Sequence, residues 1–333
     1  MTRWLAFVLV GASCVVIATT GASGAAQQLK VALVMDSQVS PHDFRAVTLR
    51  GFRRAVEEFR VQGRVVQLTP RASATATLTP LVRQKYDLVL VPQVRGLEDL
   101  NALAAVAHRF PATMFVMGDF PVDVLPGRPK NVQGSVWRVE QPSFLAGFLA
   151  GLMETRRPGK NVIGSVGGLP VPVGAFIAGY EAGARKADPR IKVLRGYAGS
   201  FFDDAKCEAV ARRQIGEGAG AVFNVGGICG LGTIRAAKAE GVWAIGVDVD
   251  QAYLGRHVLT SVLKHWDVLA YATIEAFVRG KLRTGRNQVW SVRNGAVGLG
   301  KISPKVPRSF VRKVDRIRAQ IIAGKIVVPA RLP

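Results

Sequence analysis

The feature of this sequence that most constrains its fold is a repeated alternation of short apolar runs with segments of helical periodicity. The run from Leu29 to Met35 is almost entirely apolar, and from Phe44 to Arg60 apolar residues recur at helical spacing. The alternation continues with strands at 65–68, 87–92 and 113–117 and helices at 78–85 and 97–109. Strands that are nearly all apolar predict a parallel sheet covered by helices on both faces.

The same alternation starts again after Asn131 and predicts a second unit of similar size. Its strands are expected at 161–166, 191–197, 221–225 and 242–247, and its helices at 143–154, 174–187, 204–216 and 231–240. A strand at 259–263, a helix at 265–279 and a last helix at 307–323 follow.

We therefore expect an α/β protein of about two domains in 333 residues. Two doubly wound lobes would bind a ligand outside the carboxyl ends of their strands, in a cleft that a hinge can close. The expected division places 27–135 and about 252–285 in lobe 1. It places 136–251 and about 286–333 in lobe 2.

The first 26 residues have the organisation of a secretory signal peptide. A short basic start with Arg3 precedes an apolar run, Leu5 to Thr19, and small residues follow. The run is shorter than the about 20 residues of a membrane span, although an uncleaved anchor is an alternative. Cys14 lacks the Leu three places earlier that usually marks lipid attachment. We expect cleavage near Ala25 or Ala26 and export to the periplasm or cell exterior.

The excess of basic residues first suggests an anionic partner, because 45 Lys and Arg and 23 Asp and Glu leave a formal net charge of +22. Nucleic acid is one candidate, but export argues against it. A repressor of this architecture would also carry a helix-turn-helix where this chain has its export signal. Residues 281–333 contain thirteen Lys and Arg and one acid, Asp315, a net +12. We therefore expect a surface feature of the closing segment, suited to an anionic envelope or a partner.

Motifs that would indicate an enzyme are missing from the sequence. It contains neither a Gly-x-Ser-x-Gly elbow nor a Walker A loop, and its four histidines lack zinc-ligand spacing. Gly230 and Gly232 lie between a strand and a helix, but the third glycine of a dinucleotide loop is missing. No nucleophile accompanies the carboxylates near predicted strand ends, Asp203, Asp204, Asp248 and Asp250. The expectation is a binding protein without catalytic residues, cofactor or metal.

Ordered motifs along the chain give it a resemblance to a known family. They are Phe144-Leu-Ala-Gly147, Gly179-Tyr-Glu-Ala-Gly183, Gly199-Ser-Phe201 with Asp203 and Lys206, Gly230-Leu-Gly232 with Ala236-Ala237, Gly241-Val-Trp-Ala-Ile-Gly-Val-Asp248-Val-Asp250-Gln251, and Thr260-Ser261 with Leu263-Lys264. Together they resemble the basic membrane protein family of ABC-transporter substrate-binding components, similar to the purine-nucleoside receptors of spirochaetes. The resemblance implies a type I periplasmic-binding-protein fold, a nucleoside-like ligand and an ABC permease as partner.

The resemblance also points to eight ligand-binding positions, Asp36, Phe44, Asp119, Phe201, Gly226, Gly227, Asp248 and Lys264. Phe44 from one lobe and Phe201 from the other would stack on a planar base, which is worth about 1–3 kcal/mol per base. Asp248 would accept hydrogen bonds from ribose hydroxyls, and Lys264 would donate to the ribose. Asp119 would accept one from a base N–H, and the two glycines would let backbone amides approach the ligand.

Each of these residues also has a structural alternative. Phe44 and Phe201 would then pack into the core. Asp248 would cap a helix or be a partner at the hinge, and Lys264 would pair with Asp248. The other carboxylates, Asp36 and Asp119, would be solvated at strand ends. Trp137, where the chain is expected to cross between lobes, would either line the cleft or pack at the hinge.

One loop departs from the family pattern. The family usually reads Asn-Asp-x-Ser-Phe-Asn, whereas this chain reads Ser40-Pro-His-Asp-Phe44-Arg45. Arg45 would pair with an anionic group of the ligand or be a solvated charge at a helix start. A nucleoside is the first candidate, and a purine or another small polar aromatic metabolite is the alternative.

Cys207 and Cys229 are the cysteines that remain after the leader, and an exported chain meets oxidising conditions. Cys207 lies one turn into the helix after Phe201, and Cys229 follows the strand at 221–225. Both elements start from strand ends on the same side of lobe 2. We predict a disulfide that joins the Phe201 loop to the turn at Gly226 and Gly227, with two buried thiols as the alternative.

Taken together, these patterns predict a monomeric receptor of an ABC transporter that binds a nucleoside-like ligand for uptake. A sensory receptor that signals to a membrane kinase or chemoreceptor is one alternative. An uptake receptor for a non-nucleoside metabolite is another. A neighbouring pair of permease and ATPase genes would favour transport over sensing.

Overall fold

The computed structural model describes residues 28–36, 40, 42–68, 73–94, 96–159 and 161–332, so the predicted signal peptide lies outside the described residues. The strands are β1 (Lys30–Met35), β2 (Gln62–Gln67), β3 (Leu88–Val91), β4 (Met114–Met117), β5 (Val132–Trp137), β6 (Val162–Gly167), β7 (Lys192–Tyr197), β8 (Ala221–Val225), β9 (Trp243–Asp248), β10 (Val258–Lys264), β11 (Asn287–Trp290) and β12 (Val297–Leu299). The helices are α1 (Phe44–Glu58), α2 (Ala74–Arg83), α3 (Leu97–Arg109), α4 (Glu140–Glu154), α5 (Pro170–Ala187), α6 (Asp204–Gly216), α7 (Gly230–Ala239), α8 (Trp266–Val278) and α9 (Arg308–Ile322). No helix in this part of the chain has the length and apolar character that a membrane crossing needs.

The strands form two six-stranded sheets, one in each lobe. The order in lobe 1 is β11-β5-β4-β3-β1-β2, with parallel pairing throughout. The order in lobe 2 is β12-β10-β9-β8-β6-β7, in which β12 runs antiparallel and the other pairs are parallel. Strands β3, β6 and β8 are buried along their whole length, which explains their nearly apolar sequences. The predicted α/β architecture is confirmed.

Helices α4 and α5 pack so closely that glycine is required where they meet. A Cβ atom on Gly147 would overlap the carbonyl oxygen of Tyr180, and one on Gly183 would overlap that of Phe144. The glycines of the Phe-Leu-Ala-Gly and Gly-Tyr-Glu-Ala-Gly motifs are thus explained by helix packing within lobe 2.

Strand pairing divides the chain differently from the expected division at two boundaries. β10 pairs with β9 in lobe 2, whereas the sequence pattern places 252–285 in lobe 1. β11 pairs with β5 in lobe 1, whereas the pattern places 286–333 in lobe 2. Helix α8 does pack in lobe 1, where Ala270 and Ile274 join the core beside β1. An apolar strand followed by a helix carries no signal about which sheet it joins, so the two can separate between lobes.

Over the described residues, the chain crosses between the lobes three times, after β5, after β10 and after β11. A tryptophan stands at each crossing: Trp137, Trp266 and Trp290. We refer to these three as the hinge tryptophans. The ring of Trp137 contacts both others, with centroids 5.0 Å from Trp266 and 5.7 Å from Trp290. The hinge is therefore an aromatic cluster built from all three crossings.

Candidate functional site

The residues expected to bind a ligand lie at or just after the carboxyl ends of strands. They are Asp36 after β1, Asp119 after β4, Gly226 and Gly227 after β8, and Asp248 and Lys264 as the last residues of β9 and β10. Phe44 begins α1, and Phe201 lies in the loop between β7 and α6. Neighbouring parallel strands end at the same edge of a sheet, so each lobe presents one edge of candidate side chains.

An ion pair between Lys264 and Asp119 joins the two edges. Nζ of Lys264, from lobe 2, donates a hydrogen bond to Oδ1 of Asp119, from lobe 1. The Lys264 side chain is 8% exposed, and its ammonium lies 4.4 Å from the ring centroid of Trp266 and 5.0 Å from that of Trp137, as cations favour. Within the described ranges Lys264 thus forms its ion pair across the lobes, and not with Asp248.

Asp248 keeps a carboxylate that has no hydrogen-bond or ion-pair partner among the described residues. Its φ of 64° is a left-handed conformation that is uncommon outside glycine and concentrates at functional sites. Burial raises the pKa of Asp248, with Lys264 acting to lower it and Asp119 to raise it. Asp250, by contrast, accepts hydrogen bonds from two backbone N–H groups, at 3.1 and 3.2 Å. Unlike Asp250, Asp248 is therefore able to accept hydrogen bonds from a ligand.

A buried polar network holds the loop that carries Asp248. The side-chain oxygen of Gln251 accepts hydrogen bonds from the backbone N–H of Val247 at 3.0 Å and from Nδ2 of Asn224 at 3.4 Å. The backbone N–H of Gln251 donates to Oγ of Ser261 at 3.0 Å. The loop after β9 is therefore fixed to its neighbouring strands β8 and β10.

Sequence reasoning missed Asn224 and Gln251. Asn224 is an amide inside an otherwise apolar strand, and Gln251 ends the motif that runs from Gly241 through Asp248. Buried polar side chains need hydrogen-bond partners, so an amide in the middle of an apolar strand is the signal that would have marked this network.

The two glycines after β8 have different roles. The N–H of Gly226 donates to Oδ1 of Asn224 at 2.9 Å, so it is already used. A Cβ atom at Gly226 would lie 2.8 Å from Sγ of Cys207, so the cysteine is what requires glycine there. Gly227 has a φ of 61°, a conformation that glycine favours. The N–H of Gly226 is therefore engaged within the protein, and close approach of a ligand to the two glycines stays a prediction.

A disulfide joins Cys207 in α6 to Cys229 in the turn before α7, with Cα atoms 5.6 Å apart. The backbone N–H of Cys229 donates to the carbonyl oxygen of Phe201 at 3.0 Å. The half-buried Phe201 ring lies so close to Gly168 that a Cβ atom there would overlap it, whereas Phe202 is 79% exposed. Phe201 is thus the ring that is held in place at the edge of lobe 2.

In lobe 1, Arg45 is held by two carboxylates. Its Nε and Nη2 donate to the two oxygens of Asp36 at 2.6 and 2.7 Å, and Nη1 donates to Asp43 at 3.3 Å. Its guanidinium lies 4.4 Å from the ring centroid of Phe44, and that ring also tilts against Trp266 at 5.2 Å. Burial lowers the pKa of Arg45, but the two carboxylates outweigh it and leave this pKa above its ordinary value.

These contacts agree with neither expectation for Arg45, a pair with an anionic ligand group or a solvated charge at a helix start. The side chain is 14% exposed, so it is not a solvated charge, and its partner is Asp36 instead of a ligand anion. Both oxygens of Asp36, in turn, already accept hydrogen bonds from Arg45. No ring contact joins Phe44 to Phe201 within the described ranges.

Trp137 packs at the hinge. Its indole N–H donates to the carbonyl oxygen of Gly118 at 2.6 Å, beside Asp119. Its ring contacts the other hinge tryptophans and the Lys264 ammonium. Of the two expected roles, lining the cleft or packing at the hinge, these contacts correspond to packing at the hinge. They also place the Trp137 ring against Lys264 of the ion pair between the lobes.

The candidate side chains carry a slight negative charge. Three carboxylates, Asp36, Asp119 and Asp248, face two cations, Arg45 and Lys264, which leaves one negative charge. In the part of the chain that the structure describes, no group of His, Cys, Asp and Glu could hold a metal ion. The arrangement suits a neutral ligand that offers hydroxyl or N–H donors.

Comparison with known proteins matches residues 28–331 to the family described as ABC transporter substrate-binding protein PnrA-like. Basic membrane protein A of Borreliella burgdorferi is 30% identical over 310 residues, covering 90% of this chain and 88% of that protein. The ABC transporter nucleoside-binding protein BmpA of Lactococcus lactis subsp. cremoris is 29% identical over 352 residues, covering 98% and 97%. The matches extend over nearly the whole of each protein.

Solved structures show the same fold at lower identity. An ABC transporter solute-binding protein from Aeropyrum pernix K1 superposes with a TM-score of 0.72 at 22% identity, covering 90% of this chain and 94% of that one. The arabinose-binding protein AraP of Geobacillus stearothermophilus superposes with a TM-score of 0.62 at 14% identity, covering 87% and 99%. With the family match and the two-lobed topology, these findings establish that the protein belongs to the PnrA-like family of ABC-transporter substrate-binding proteins, with the type I fold of periplasmic solute receptors.

Proposed function

We propose that this protein is an exported receptor that binds a nucleoside between its lobes and delivers it to an ABC permease. The family supplies the role in an ABC transporter, and the Lactococcus relative is named a nucleoside-binding protein. The observation that carries the proposal is the carboxylate of Asp248, which has no partner among the described residues and lies near the ammonium of Lys264 where the lobes meet. A ribose, with neighbouring hydroxyls, is a ligand group that can use both.

The ribose would lie between Asp248 and Lys264. Asp248 has acceptor lone pairs for two hydroxyls, because it accepts no hydrogen bond from the described residues. Lys264 uses one of its three N–H donors on Asp119, which leaves two for a hydroxyl or the ring oxygen. The second oxygen of Asp119 would accept from a base N–H.

The base would stack mainly on Phe201. This ring sits on a loop that the disulfide and the hydrogen bond from Cys229 hold in place, and stacking is worth about 1–3 kcal/mol per base. Phe44 already shares its surface with Arg45 and Trp266. We therefore expect Phe44 to contribute less to stacking on the base than Phe201. The resemblance implies a base stacked equally between the two rings, and we expect unequal stacking instead.

The charge of the site favours nucleosides over nucleotides. The pairing of Arg45 with Asp36 leaves lobe 1 without a free cation among the candidate side chains. A phosphate would bring about two negative charges to an edge that is already negative by one. Neutral ligands avoid that repulsion.

A thermal-shift screen tests the proposal. A nucleoside at about 100 times its dissociation constant should stabilise the fold by about 2.7 kcal/mol and raise the melting temperature. Its 5′-monophosphate should bind about tenfold more weakly or worse. Free bases, sugars and amino acids complete the panel. A clear response to sugars without any response to nucleosides or bases would contradict the nucleoside assignment. Tighter binding of the monophosphate would contradict the charge argument.

We also propose that the chain is exported with removal of its first residues. The apolar run at 5–19 and the small residues that follow support this. The N-terminus of the protein recovered outside the cytoplasm, read by mass spectrometry, should lie at or next to Gln27. Retention of Met1 would indicate an uncleaved anchor, and a lipidated start at Cys14 would indicate a lipoprotein.

A further inference from the structure

Helix α9 is fixed to lobe 2 by one apolar face. Val314, Ile317 and Ile321 are buried in the lobe 2 core together with residues of α4 such as Leu145 and Leu149. Their spacing of three and four residues places them on one side of the helix. The opposite side of α9 is therefore held outward in a defined orientation.

The outward side of α9 is basic. Arg308, Arg312 and Arg316 follow one another at four-residue spacing, which aligns them along one stripe about 12 Å long. Lys313 lies beside the stripe, and all four residues are exposed. Like charges at this spacing weaken a helix. Asp315 is the acidic residue of α9. Arg308, Arg312, Lys313 and Arg316 form no ion pair with a described residue.

Basic residues before and after the helix extend this surface. Lys301 and Lys305 precede α9, and Lys325 and Arg331 follow it; all are exposed. We define the C-terminal basic face as Lys301, Lys305, Arg308, Arg312, Lys313, Arg316, Lys325 and Arg331. Val327, between the last two, is 85% exposed and adds an apolar side chain to it.

Two other exposed arginines of lobe 2 do have carboxylate partners. On α6 and α7, Arg212 pairs with Glu208 and Glu240, and Arg235 pairs with Asp204 and Glu208. The side chains of those arginines are about half exposed to solvent, yet each has a carboxylate partner. The C-terminal basic face differs because its cations have no such partners among the described residues.

We propose that the C-terminal basic face binds the phosphate headgroups of an anionic lipid bilayer. Arginine donates two parallel hydrogen bonds to a phosphate, and a straight stripe on a helix suits a flat array of phosphates. Clusters of four to eight Lys and Arg are typical of anionic-lipid binding, and the exposed Val327 can enter the interface. The contact is peripheral and electrostatic, so salt screens it. It does not depend on which solute the cleft binds.

Co-sedimentation with vesicles tests the proposal. The protein should bind vesicles of phosphatidylglycerol mixed with phosphatidylcholine at low salt, bind vesicles of phosphatidylcholine alone much more weakly, and dissociate as salt is raised. The variant R308Q/R312Q/R316Q should lose about tenfold or more in vesicle affinity. A matched control, R50Q/R53Q/R83Q, removes three exposed arginines from lobe 1 and should bind as the unchanged protein does.

Two further measurements keep the outcome decisive. The variant R308K/R312K/R316K retains the charge and should retain most of the binding, which separates an electrostatic effect from damage to α9. Thermal melting of each variant checks the fold, and the comparison of the two vesicle types uses the unchanged protein alone. Equal binding to both vesicle types, or binding to soluble polyglutamate but not to anionic vesicles, would overturn the proposal.

Discussion

Replacing Asp248 with Asn is expected to weaken nucleoside binding by about a hundredfold, because two hydrogen bonds to a charged acceptor are worth about 1.5 kcal/mol each or more. The loss should appear in the dissociation constant measured by calorimetric titration. The fold should not suffer. Burial raises the pKa of Asp248, so ionising it costs stability at neutral pH, and Asn removes that cost. The melting temperature of the free variant should therefore equal or exceed that of the unchanged protein.

Asp250→Asn is the matched control. Asp250 lies two residues away, but its oxygens accept from the backbone N–H groups of Ala252 and Lys301. Its replacement should cost about 1 kcal/mol of stability and leave the affinity much closer to that of the unchanged protein. The opposite pattern, with normal binding by D248N and strong loss in D250N, would mean that Asp248 does not contact the ligand.

The same carboxylate gives binding a defined pH dependence. Because its pKa is raised in the folded chain, the proton binds more tightly there than in the unfolded chain. The stability cost of the ionised group is present above the raised pKa and disappears as the pH falls below the unfolded value. Ribose hydroxyls need the ionised form as their acceptor. Nucleoside affinity should therefore fall as the pH drops through this pKa, and D248N should not show that component of the pH dependence.

Removing the disulfide should cost about 3 kcal/mol of unfolding free energy, since the bond closes a loop across a sequence separation of 22 residues. For a lobe of this size that corresponds to roughly 10 °C in melting temperature. The variant C207A/C229A tests this by urea unfolding and thermal melting. Nucleoside affinity should also fall, though less than in D248N, because the Phe201 loop and the turn after β8 lose their covalent link.

The reductant provides the control for this experiment. A strong reductant should lower the stability of the unchanged protein to about that of C207A/C229A and leave the variant unaffected. Thiol titration of the denatured protein without reductant should find no free thiol at Cys207 or Cys229. Two free thiols there, or equal stability of the two proteins without reductant, would show that the bond does not form in solution.

The alternation of buried strands and helices was enough to predict two doubly wound lobes, because strands such as β3 and β6 are apolar on both faces. It could not assign every strand to a sheet. β10 and α8 are adjacent in sequence and lie in different lobes, since hydrophobic periodicity reports burial and not the neighbour that causes it. The boundaries after 251 and 285 therefore depended on pairing over long sequence distances.

Strand ends predicted where the candidate side chains lie, but not their partners. Lys264 pairs with Asp119 where the two lobes meet, and Arg45, near the start of α1, pairs with Asp36, just after β1. Neither pairing has a signal in spacing. The requirement for glycine at position 226 could not be predicted from spacing either. The side chain that excludes a Cβ atom there belongs to Cys207, on helix α6.

The hinge tryptophans make the intrinsic fluorescence of the protein sensitive to movement of the lobes. Three of its five tryptophans stand at the crossings between lobes, and the Lys264 ammonium lies over two of these rings. Movement of the lobes changes the distance between Lys264 and Asp119, and with it the electric field at the neighbouring indoles. Intrinsic emission should therefore report opening and closing directly, and ligand capture can be followed in real time without any attached dye.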